Sequence, residues 1–438
     1  MRLPEGLPDN HVVYFCLAVY SPRMSEESPE IHRQFDIVVF GASGFTGQLV
    51  VEYLYQQYPP ESGLRWAIAG RNRAKLDAVL SALGVTQDTV QVLVADSDDR
   101  ESLDAITVDT RVVLTTVGPY AKYGSALVAS CVANGTSYCD LAGEVQWMRK
   151  MIDEHQNAAQ KSGARIVHSC GFDSIPSDIG VHFLQKCSTE LYDTPCSKVS
   201  LLVKAIRGGA SGGTIASVLN AIEEARRDRS VARIMADPYS LNPEGQRKGP
   251  DGRDQTSVKY NDALGGWTAP FVMGVVNMRI VRRTNALLGY KYGENFSYNE
   301  ATFVGSGVTG WIKSAIGTAG LGGFMLASSF NLTREHLVRK FLPKPGSGPT
   351  KEQRENGFYK LILVGTTDDA ERVEVSVKGD RDPGYGSTSK MLSESAVCLA
   401  RDHLQIGGGF WTPASAMGDK LLDRLQANAG LSFELRNL

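Results

Sequence analysis

The chain has 438 residues, more than one domain of ordinary size contains, so we expect two domains, each with its own core. A formal net charge of -2 gives no general attraction to nucleic acid, and we expect no nucleic-acid partner. The seven cysteines form no Cys-x-x-Cys pair and no zinc-like spacing with histidine, which indicates a reduced compartment and predicts no metal site.

The N-terminal stretch does not resemble a signal peptide. Its apolar run "HVVYFCLAVY" (residues 11–20) is too short to span a bilayer, and no basic region precedes it. The polar stretch that begins at Met24 precedes the first strand. We interpret residues 1–33 as a flexible leader, and residues 1–23 are either part of it or a misassigned start upstream of Met24.

Residues 34–176 alternate between β-rich runs and helical segments, the pattern of a parallel sheet with crossover helices. This predicts an α/β fold: a Rossmann-type, doubly wound parallel sheet that binds a dinucleotide. The six predicted strands are "FDIVVFG", "RWAIAG", "VQVLVAD", "RVVLTTVG", "TSYCD" and "ARIVHSC".

A second α/β (α+β) domain on the substrate side is predicted for residues 177–383, because the regular alternation ends there. It contains the strand-like "KVSLLVKAI", a charged helix around "ASVLNAIEEARRDR", an irregular loop over 237–257 and a surface linker over 343–353. Two later runs, "FYKLILVG" and "RVEVSVKG", predict antiparallel strands with one solvated face. Residues 384–438 predict two amphipathic helices that pack back on the first domain.

A glycine-rich turn follows the first strand and opens a helix. Unpaired N–H groups and the positive end of a helix dipole suit a pyrophosphate there, although the same pattern also serves as a plain tight turn. The strand before and the helix after it favour dinucleotide binding. The predicted contact residues are Gly41, Ser43, Gly44, Phe45, Thr46 and Gly47.

The end of the second strand indicates the cofactor. Arg71 follows Gly70 directly where NAD-binding folds carry an acidic residue, and a guanidinium there binds a 2′-phosphate. We therefore predict NADP (NADPH), contacted by Arg71 and Asn72, with NAD disfavoured; the alternative is an exposed arginine that opens a helix. Asp96, after the third strand, either meets the adenine or caps the next helix, and Gly118 follows the fourth strand at the nicotinamide end.

Seven segments together resemble the saccharopine dehydrogenase-like oxidoreductases, a group that includes bacterial trans-acting enoyl reductases. The segments are "FDIVVFGASGFTG", "AIAGRN", "TTVGPYAKYG", "YCDLAGE", "CGFDSIPSD", "SGGTIAS" and "DPGYGSTSKMLSESA". The resemblance implies a nicotinamide-dependent oxidoreductase whose second domain covers the nicotinamide end of the cleft. The enoyl reductase branch further implies reduction of a lipid- or polyketide-like enoyl chain in lipid or glycolipid biosynthesis.

The resemblance carries over no established catalytic residue. By position, the candidates are Tyr120 in "GPY" and Asp140 in "YCD". Tyr120 follows the fourth strand, where its phenol could donate a proton, and the alternative is a packed aromatic. Asp140 could act as an acid if burial raised its pKa, and the alternative is a helix cap.

Other polar residues near these strands have structural interpretations. Asp173, Ser174 and Ser177 precede or open a helix and are expected to cap it. Glu144 suits the start of the next helix. His168 and Cys170 lie on or next to an apolar strand and are expected in the core.

The uncharged run "SAIGTAGLGGFMLASSF" (residues 314–330) bears on location. We expect a buried helix, with an acyl-chain pocket or a lipid-surface contact as alternatives. The protein is thus predicted to be cytoplasmic or peripheral on a membrane or lipid droplet, with a mitochondrial location disfavoured.

The leading functional hypothesis is an NADP-dependent oxidoreductase that reduces an enoyl or carbonyl group. Its expected substrate is a hydrophobic small molecule or a carrier-bound acyl chain, and assembly into a homo-oligomer is left open. The alternative is a catalytically silent dinucleotide-binding protein on lipid surfaces.

Overall fold

A computed structural model of the protein describes residues 33–86, 89–209, 212–262, 265–329 and 348–436. The predicted leader up to residue 32 and linker residues 343–347 lie outside these ranges. Arg33, which the leader was expected to include, belongs to the fold. Its buried guanidinium donates to the carbonyl oxygens of Thr107 and Asn134 at 3.1 and 2.6 Å and thereby joins two helix ends.

The first sheet is parallel throughout and has the order β3-β2-β1-β4-β5-β6-β13. All six predicted strands form, and a seventh, β13, was missed because its three residues come from far along the chain. β1 is buried over its whole length, as expected for a central strand covered on both faces. The strands are β1 (Phe35–Phe40), β2 (Trp66–Gly70), β3 (Gln91–Val94), β4 (Thr110–Thr115), β5 (Ser137–Cys139), β6 (Arg165–Val167) and β13 (Gly409–Trp411).

Crossover helices connect these strands. The first of them, α1, begins directly after the glycine turn and buries Val50, Val51 and Leu54. The helices are α1 (Phe45–Gln57), α2 (Arg73–Ala82), α3 (Arg100–Val108), α4 (Tyr120–Tyr123), α5 (Ser125–Ala133), α6 (Val145–Ser162) and α7 (Ile175–Tyr192), with a short 3-10 turn at Pro60–Ser62.

The strand order reverses between β1 and β4, which lie side by side although the chain visits β2 and β3 between them. The chain leaves β1 toward β2 and leaves β4 toward β5, in opposite directions along the sheet. In open α/β sheets a crevice forms at such a switch point, outside the carboxyl ends of the strands. Gly41 and Thr116 lie at this point.

The second sheet is mixed and has the order β14-β12-β11-β7-β10-β9-β8. Strands β7 and β10 are parallel, and the predicted pair β11 and β12 is antiparallel as expected. The expectation of one solvated face is wrong, because consecutive residues from Val373 to Val377 are all buried. The strands are β7 (Lys198–Arg207), β8 (Lys259–Asn261), β9 (Gly266–Pro270), β10 (Ser297–Gly305), β11 (Phe358–Thr366), β12 (Arg372–Gly379) and β14 (Leu431–Leu435).

The helices of this half surround the second sheet and return to the first. The predicted charged helix is α8, and the predicted irregular loop over 237–257 contains no regular element. The helices are α8 (Gly212–Arg227), α9 (Arg229–Ala236), α10 (Gly274–Leu287), α11 (Gly307–Ser329), α12 (Lys351–Glu355), α13 (Thr388–Arg401) and α14 (Pro413–Ala427), and a π-type turn spans Pro383–Ser387.

Helix α13 packs against α1 and strands β1, β4 and β5 of the first sheet. It is amphipathic in sequence as predicted, but it is buried on nearly every side, including the polar Ser393, Glu394 and Ser395. Glu394 is accommodated there because Tyr53 of α1 and Tyr58, the residue that follows this helix, both donate to it at 2.7 Å. The domain boundaries proposed at 176/177 and 383/384 stay predictions.

Helix α11 contains most of the uncharged run for which burial was expected. That expectation is wrong: within the run, Ile316 is 67% exposed and Leu326 63%. In the described residues, no helix has both the length and the hydropathy needed to cross a bilayer. The helix therefore presents an apolar face outward.

Candidate active site

The glycine turn connects β1 to α1 at the switch point. Gly41 has a φ of +88°, and a Cβ added to it would lie 2.5 Å from the side chain of Val117, which follows β4. A Cβ on Gly47 would lie 2.2 Å from the Gly41 carbonyl oxygen. These two glycines are required by the protein's own packing.

Gly44 differs from its two neighbours in the motif. It is exposed, has an ordinary φ of −74°, and a Cβ there would meet only the Gly41 carbonyl oxygen, at 3.3 Å. The protein's own packing therefore requires a glycine less strictly at position 44 than at positions 41 and 47. A phosphate bound at the start of α1 would require a residue without a side chain there.

The first turn of α1 offers hydrogen-bond donors. Within the described ranges, the N–H groups of Phe45, Thr46 and Gly47 donate to no protein group, and no side chain caps the helix. Free N–H groups at a helix N-terminus next to a bare glycine form a cradle for a pyrophosphate. Ser43 lies in the same turn, with its carbonyl oxygen accepting from Gln48 at 3.0 Å. The cofactor roles predicted for these residues fit this geometry and stay predictions.

Arg71 lies exposed at the carboxyl end of β2, and no hydrogen bond or ion pair to its guanidinium occurs among the described residues. The neighbouring Asn72 is the N-cap of α2 and accepts from the Lys75 N–H at 3.0 Å. Arg73 pairs with Asp77 at 3.1 Å within the same helix. Of these two arginines, Arg71 is thus the one placed to bind a ligand.

Asp96 does not cap the helix that follows it. Asp99 is the N-cap of α3 and accepts from the Glu101 N–H, while Asp96 accepts from the Asp98 N–H at 3.2 Å. The alternative that Asp96 caps the next helix is therefore wrong, and the predicted contact of Asp96 with the adenine stays a prediction.

A cavity of about 570 Å³ extends from the switch point into the second half of the chain. At one end it is lined by Thr46, Thr116 and Gly118, next to the glycine turn. At the other end it reaches Leu321 and Met325 of α11. Its walls between these ends are largely apolar and include Val218, Ile222, Phe271, Met273 and Val276. A cavity with these walls suits a hydrophobic chain.

Asp173 is the one charged side chain in the described lining of this cavity. It lies in the loop between β6 and α7, at the carboxyl edge of the first sheet. Burial, and secondarily the nearby Asp140 carboxylate, raises the pKa of Asp173 to about 7. Sequence reasoning treated Asp173 as a helix cap, and its place in the loop that follows the parallel strand β6 was the signal that could have identified it.

Tyr120 also lines the cavity, but its side chain is almost fully buried. Its hydroxyl accepts from the Leu141 N–H at 3.1 Å and donates to the Thr115 carbonyl oxygen at 3.3 Å. Its ring stacks on Trp147 with centroids 5.5 Å apart. Burial raises the pKa of Tyr120 well above its usual value. The Tyr120 hydroxyl thus forms hydrogen bonds with two backbone groups. Its catalytic role stays a prediction.

Asp140 is fully buried and does not belong to the cavity lining. It accepts from the Tyr138 hydroxyl at 2.9 Å and from the Ser169 N–H at 2.9 Å, and it contacts His168 Nδ1 at 2.7 Å. This network joins the loops after β5 and β6 and is not a helix cap. His168 and Cys170 are buried in the core, as expected. The catalytic role of Asp140 stays a prediction.

Glu144 connects the two halves of the site. The backbone N–H groups of Tyr120 and Ala121 donate to its carboxylate at 2.7 and 3.1 Å, and the Ser217 hydroxyl of α8 donates at 2.8 Å. Burial raises the pKa of Glu144, and these three hydrogen bonds oppose the shift. The carboxylate thus fixes the loop after β4 relative to α8.

The expected capping of α7 is wrong. Ser174 is the N-cap residue, but its hydroxyl donates to the Asn277 Oδ1 of α10 at 3.1 Å and caps nothing. Asp178, in the first turn of α7, accepts from the Ala414 N–H at 2.8 Å and so satisfies the start of a different helix, α14.

A segment from far along the chain contacts Phe45, the first residue of α1 after the glycine turn. The Phe45 ring contacts Tyr385 edge-on, with centroids 4.8 Å apart, and the Arg354 guanidinium lies 5.5 Å from the Phe45 centroid. The Tyr385 hydroxyl accepts from the Gly212 N–H at 3.0 Å. Sequence reasoning missed these contacts because the partners lie far apart in the chain, more than 300 residues for the two contacts of Phe45 and 173 for the Tyr385–Gly212 hydrogen bond.

The strand order, the glycine turn at the switch point and the adjoining cavity define a dinucleotide-binding oxidoreductase of the Rossmann class. Residues 37–167 match the family described as the saccharopine dehydrogenase NADP binding domain. This match confirms the prediction of NADP as the cofactor.

The chain belongs to the trans-acting enoyl reductase family. It is 38% identical to the trans-acting enoyl reductase of Mycobacterium ulcerans over 405 residues, covering 90% of this chain and 96% of that protein. It is 43% identical to a provisionally named trans-acting enoyl reductase of Mycobacterium tuberculosis over 422 residues, covering 93% of this chain and 98% of that protein. The predicted NAD(P)-dependent oxidoreductase is thereby confirmed.

A solved structure supports the fold. The apo saccharopine dehydrogenase (L-Glu forming) of Saccharomyces cerevisiae superposes with a TM-score of 0.52, covering 92% of this chain and 99% of that one, at 12% identity. The predicted Rossmann-type sheet with a second α/β domain is confirmed by this match.

Proposed function

We propose that the protein is an NADPH-dependent enoyl reductase whose substrate is a hydrophobic, lipid- or polyketide-like acyl chain held on a carrier, within lipid or glycolipid biosynthesis. The observation that carries the proposal is the apolar cavity that begins at Thr46, Thr116 and Gly118 and ends at α11. A chain that lies in this cavity would place one end beside the glycine turn. The relatives' names supply the reaction class.

The residues at the switch point fit NADPH. Gly44 leaves open space beside the free N–H groups of α1, where a pyrophosphate would bind, and Arg71 is exposed where a 2′-phosphate would lie. When bound, NADPH supplies the hydride for the reduction. The chain's own residues orient the acyl group, exclude water through the apolar walls and supply a proton.

NADPH oxidation with trans-2-enoyl thioesters of N-acetylcysteamine tests the proposal. We expect oxidation with these substrates in preference to matched ketones and imines. We also expect kcat/KM to rise from the four-carbon to the twelve-carbon chain, because each buried methylene contributes about 0.8 kcal/mol. Oxidation with ketones or imines and none with the enoyl thioesters would contradict the proposed reaction.

The same proposal includes a peripheral contact with a lipid surface such as a membrane or lipid droplet. Trp311 is 49% exposed, Ile312 45% and Ile316 67%, and Lys313 is the one charged residue of α11. Since Leu321 and Met325 of the same helix line the cavity, a lipid-bound α11 would bring the cavity next to the source of a hydrophobic substrate.

Sedimentation with phosphatidylcholine vesicles tests this contact. We expect the wild-type protein to sediment with the vesicles and the triple variant Trp311→Ser, Ile312→Ser, Ile316→Ser to stay in the supernatant. The control is Leu191→Ser, which removes a 54% exposed leucine from α7. Equal sedimentation of all three proteins would show that α11 does not bind the lipid.

A further inference from the structure

We propose that Asp173 is the proton donor of the reduction, delivering a proton to carbon 2 of the enoyl group. The inference rests on the proposed function and assigns a catalytic residue to it. The Asp173 side chain lines the same cavity as Thr116 and Gly118. This part of the cavity lies at the carboxyl edge of the first sheet, where the nicotinamide end of the dinucleotide is expected.

The Asp173 loop is held firmly. The Phe172 N–H donates to the Thr388 hydroxyl oxygen of α13 at 3.0 Å, and the Ser174 N–H donates to the Gly171 carbonyl oxygen at 3.2 Å. Gly171 is itself packed so closely that an added Cβ would lie 2.6 Å from Leu141. A donor that must meet a carbon atom benefits from such a fixed backbone.

The carboxyl group of Asp173 is also free to act. Among the described residues it forms no hydrogen bond or ion pair, whereas three protein groups donate to the Glu144 carboxylate and two backbone groups engage the Tyr120 hydroxyl. Burial raises the pKa of Asp173 to about 7, so a large fraction of the carboxyl groups carries a proton at neutral pH.

The reduction consumes one hydride and one proton. Hydride adds to carbon 3 of the enoyl thioester, the carbon–carbon π bond breaks, and its electron pair passes to carbon 2 and the thioester carbonyl. The O–H bond of Asp173 breaks, and its proton forms the new C–H bond at carbon 2. NADPH becomes NADP⁺, and the Asp173 carboxylate regains a proton from water after product release.

The test uses single-turnover NADPH oxidation with trans-2-dodecenoyl-N-acetylcysteamine between pH 5 and pH 9, together with NADPH-binding titrations. In the wild type we expect the rate to fall as pH rises through the pKa of the acid. Asp173→Asn should lower the rate by about 10²–10⁴-fold and remove this pH dependence while keeping NADPH affinity. Asp173→Glu, which retains a carboxyl group, should restore part of the rate and its pH dependence.

A readout without turnover is the infrared band of protonated carboxyl groups in the free protein. Asp178 is buried with a pKa that burial likewise raises to about 7, so the titration uses Asp178→Asn as background. Burial also raises the pKa of Glu144 and Glu300, so in this background we expect the band lost between pH 6 and pH 8 to become weaker by the share of one carboxyl group once Asp173→Asn is added. The same band in both proteins would overturn the assignment.

The outcomes separate the inference from the proposed function. If the wild type oxidises NADPH with this thioester and Asp173→Asn keeps the wild-type rate and pH profile, Asp173 is not the donor. A loss of rate confined to Tyr120→Phe would also overturn the inference in favour of the phenol. If the wild type binds NADPH and reduces no enoyl thioester, the proposed function itself fails.

Discussion

The backbone N–H of Tyr120 donates to Glu144 Oε1 at 2.7 Å, so a buried carboxylate holds the loop that enters the cavity after β4. Because Ser217 of α8 donates to the same carboxylate, one side chain joins the nucleotide-binding half to the cavity wall from the second half. A glutamine at position 144 would place an NH₂ group, itself a donor, against neighbours that are all donors to this side chain.

We therefore expect Glu144→Gln to lower the free energy of unfolding by about 1–3 kcal/mol, since a buried donor is left unsatisfied. Chemical denaturation measures this loss. Glu154→Gln is the control, because Glu154 lies on the exposed side of the same helix, 3.9 Å from Lys150. Equal stability of the two variants would show that the Glu144 contacts are not maintained in solution.

Gly44 tests whether the turn binds the cofactor. We expect Gly44→Val to abolish detectable NADPH binding and Gly44→Ala to weaken it less, with folding kept in both, because the protein leaves room for a Cβ at this position alone among the three glycines. Isothermal titration with NADPH and circular dichroism measure the two effects. Wild-type NADPH affinity in a folded Gly44→Val protein would place the pyrophosphate elsewhere.

Arg71 and Arg73 form a matched pair for cofactor choice. Arg71→Ala should weaken NADPH binding by about 1.5–3 kcal/mol, the contribution of hydrogen bonds to charged groups, and leave NADH binding almost unchanged. Arg73→Ala should change neither by more than about 0.5 kcal/mol, because Arg73 is engaged in an exposed ion pair with Asp77. Binding titrations with NADPH and NADH measure these changes. Equal losses of affinity for the two nucleotides in Arg71→Ala would exclude a contact between Arg71 and the 2′-phosphate.

The pKa of Asp173 predicts a pH-dependent stability. Folding raises this pKa to about 7 from its ordinary value, so the folded protein holds a proton that the unfolded chain releases. Stability should therefore fall as pH rises from about 4 to about 7, by at most about 1.4 kcal/mol per pH unit for this group. Asp140, whose charge acts on Asp173, is the acidic neighbour that reinforces the effect.

Thermal melts between pH 5 and pH 8 measure this dependence. Asp173→Asn should flatten it and should be at least as stable as the wild type at pH 8, where the wild type carries a partly buried charge. Asp178→Asn should leave the Asp173 contribution in place, and the exposed Asp368→Asn serves as the surface control. An unaltered slope in Asp173→Asn would mean that the carboxyl titrates as it does in water.

The first sheet and the glycine turn could be predicted because their signals are local. Each strand from Phe35 to Val167 is a short apolar run followed by a helical segment, and Gly47 is required by a close contact with the Gly41 carbonyl oxygen only six residues earlier. The strand Gly409–Trp411 could not be predicted, since three residues acquire strand geometry only by pairing with Arg165–Val167.

The environment of the later helices depends on contacts between residues far apart in the chain. Glu394 is a typical surface residue by composition, and its burial depends on distant partners: Tyr53 and Tyr58 near the end of α1, and Arg424 and Asn428 at the end of α14. The uncharged part of α11 after Lys313 would be placed in a core by hydropathy, yet no neighbour among the described residues covers Ile316 on its outer face. Asp173 was missed because the same local sequence suits both a helix cap and an acid at a sheet edge.

The central claim is that the protein transfers hydride from NADPH to an enoyl chain. The most direct measurement is mass spectrometry of the acyl product after incubation of trans-2-dodecenoyl-N-acetylcysteamine with NADPH that carries deuterium at one or the other face of nicotinamide carbon 4. The account predicts one deuterium at carbon 3 of the saturated product from one of the two labelled cofactors, and none from the other. An unreduced thioester, with NADPH bound and unoxidised, would contradict it.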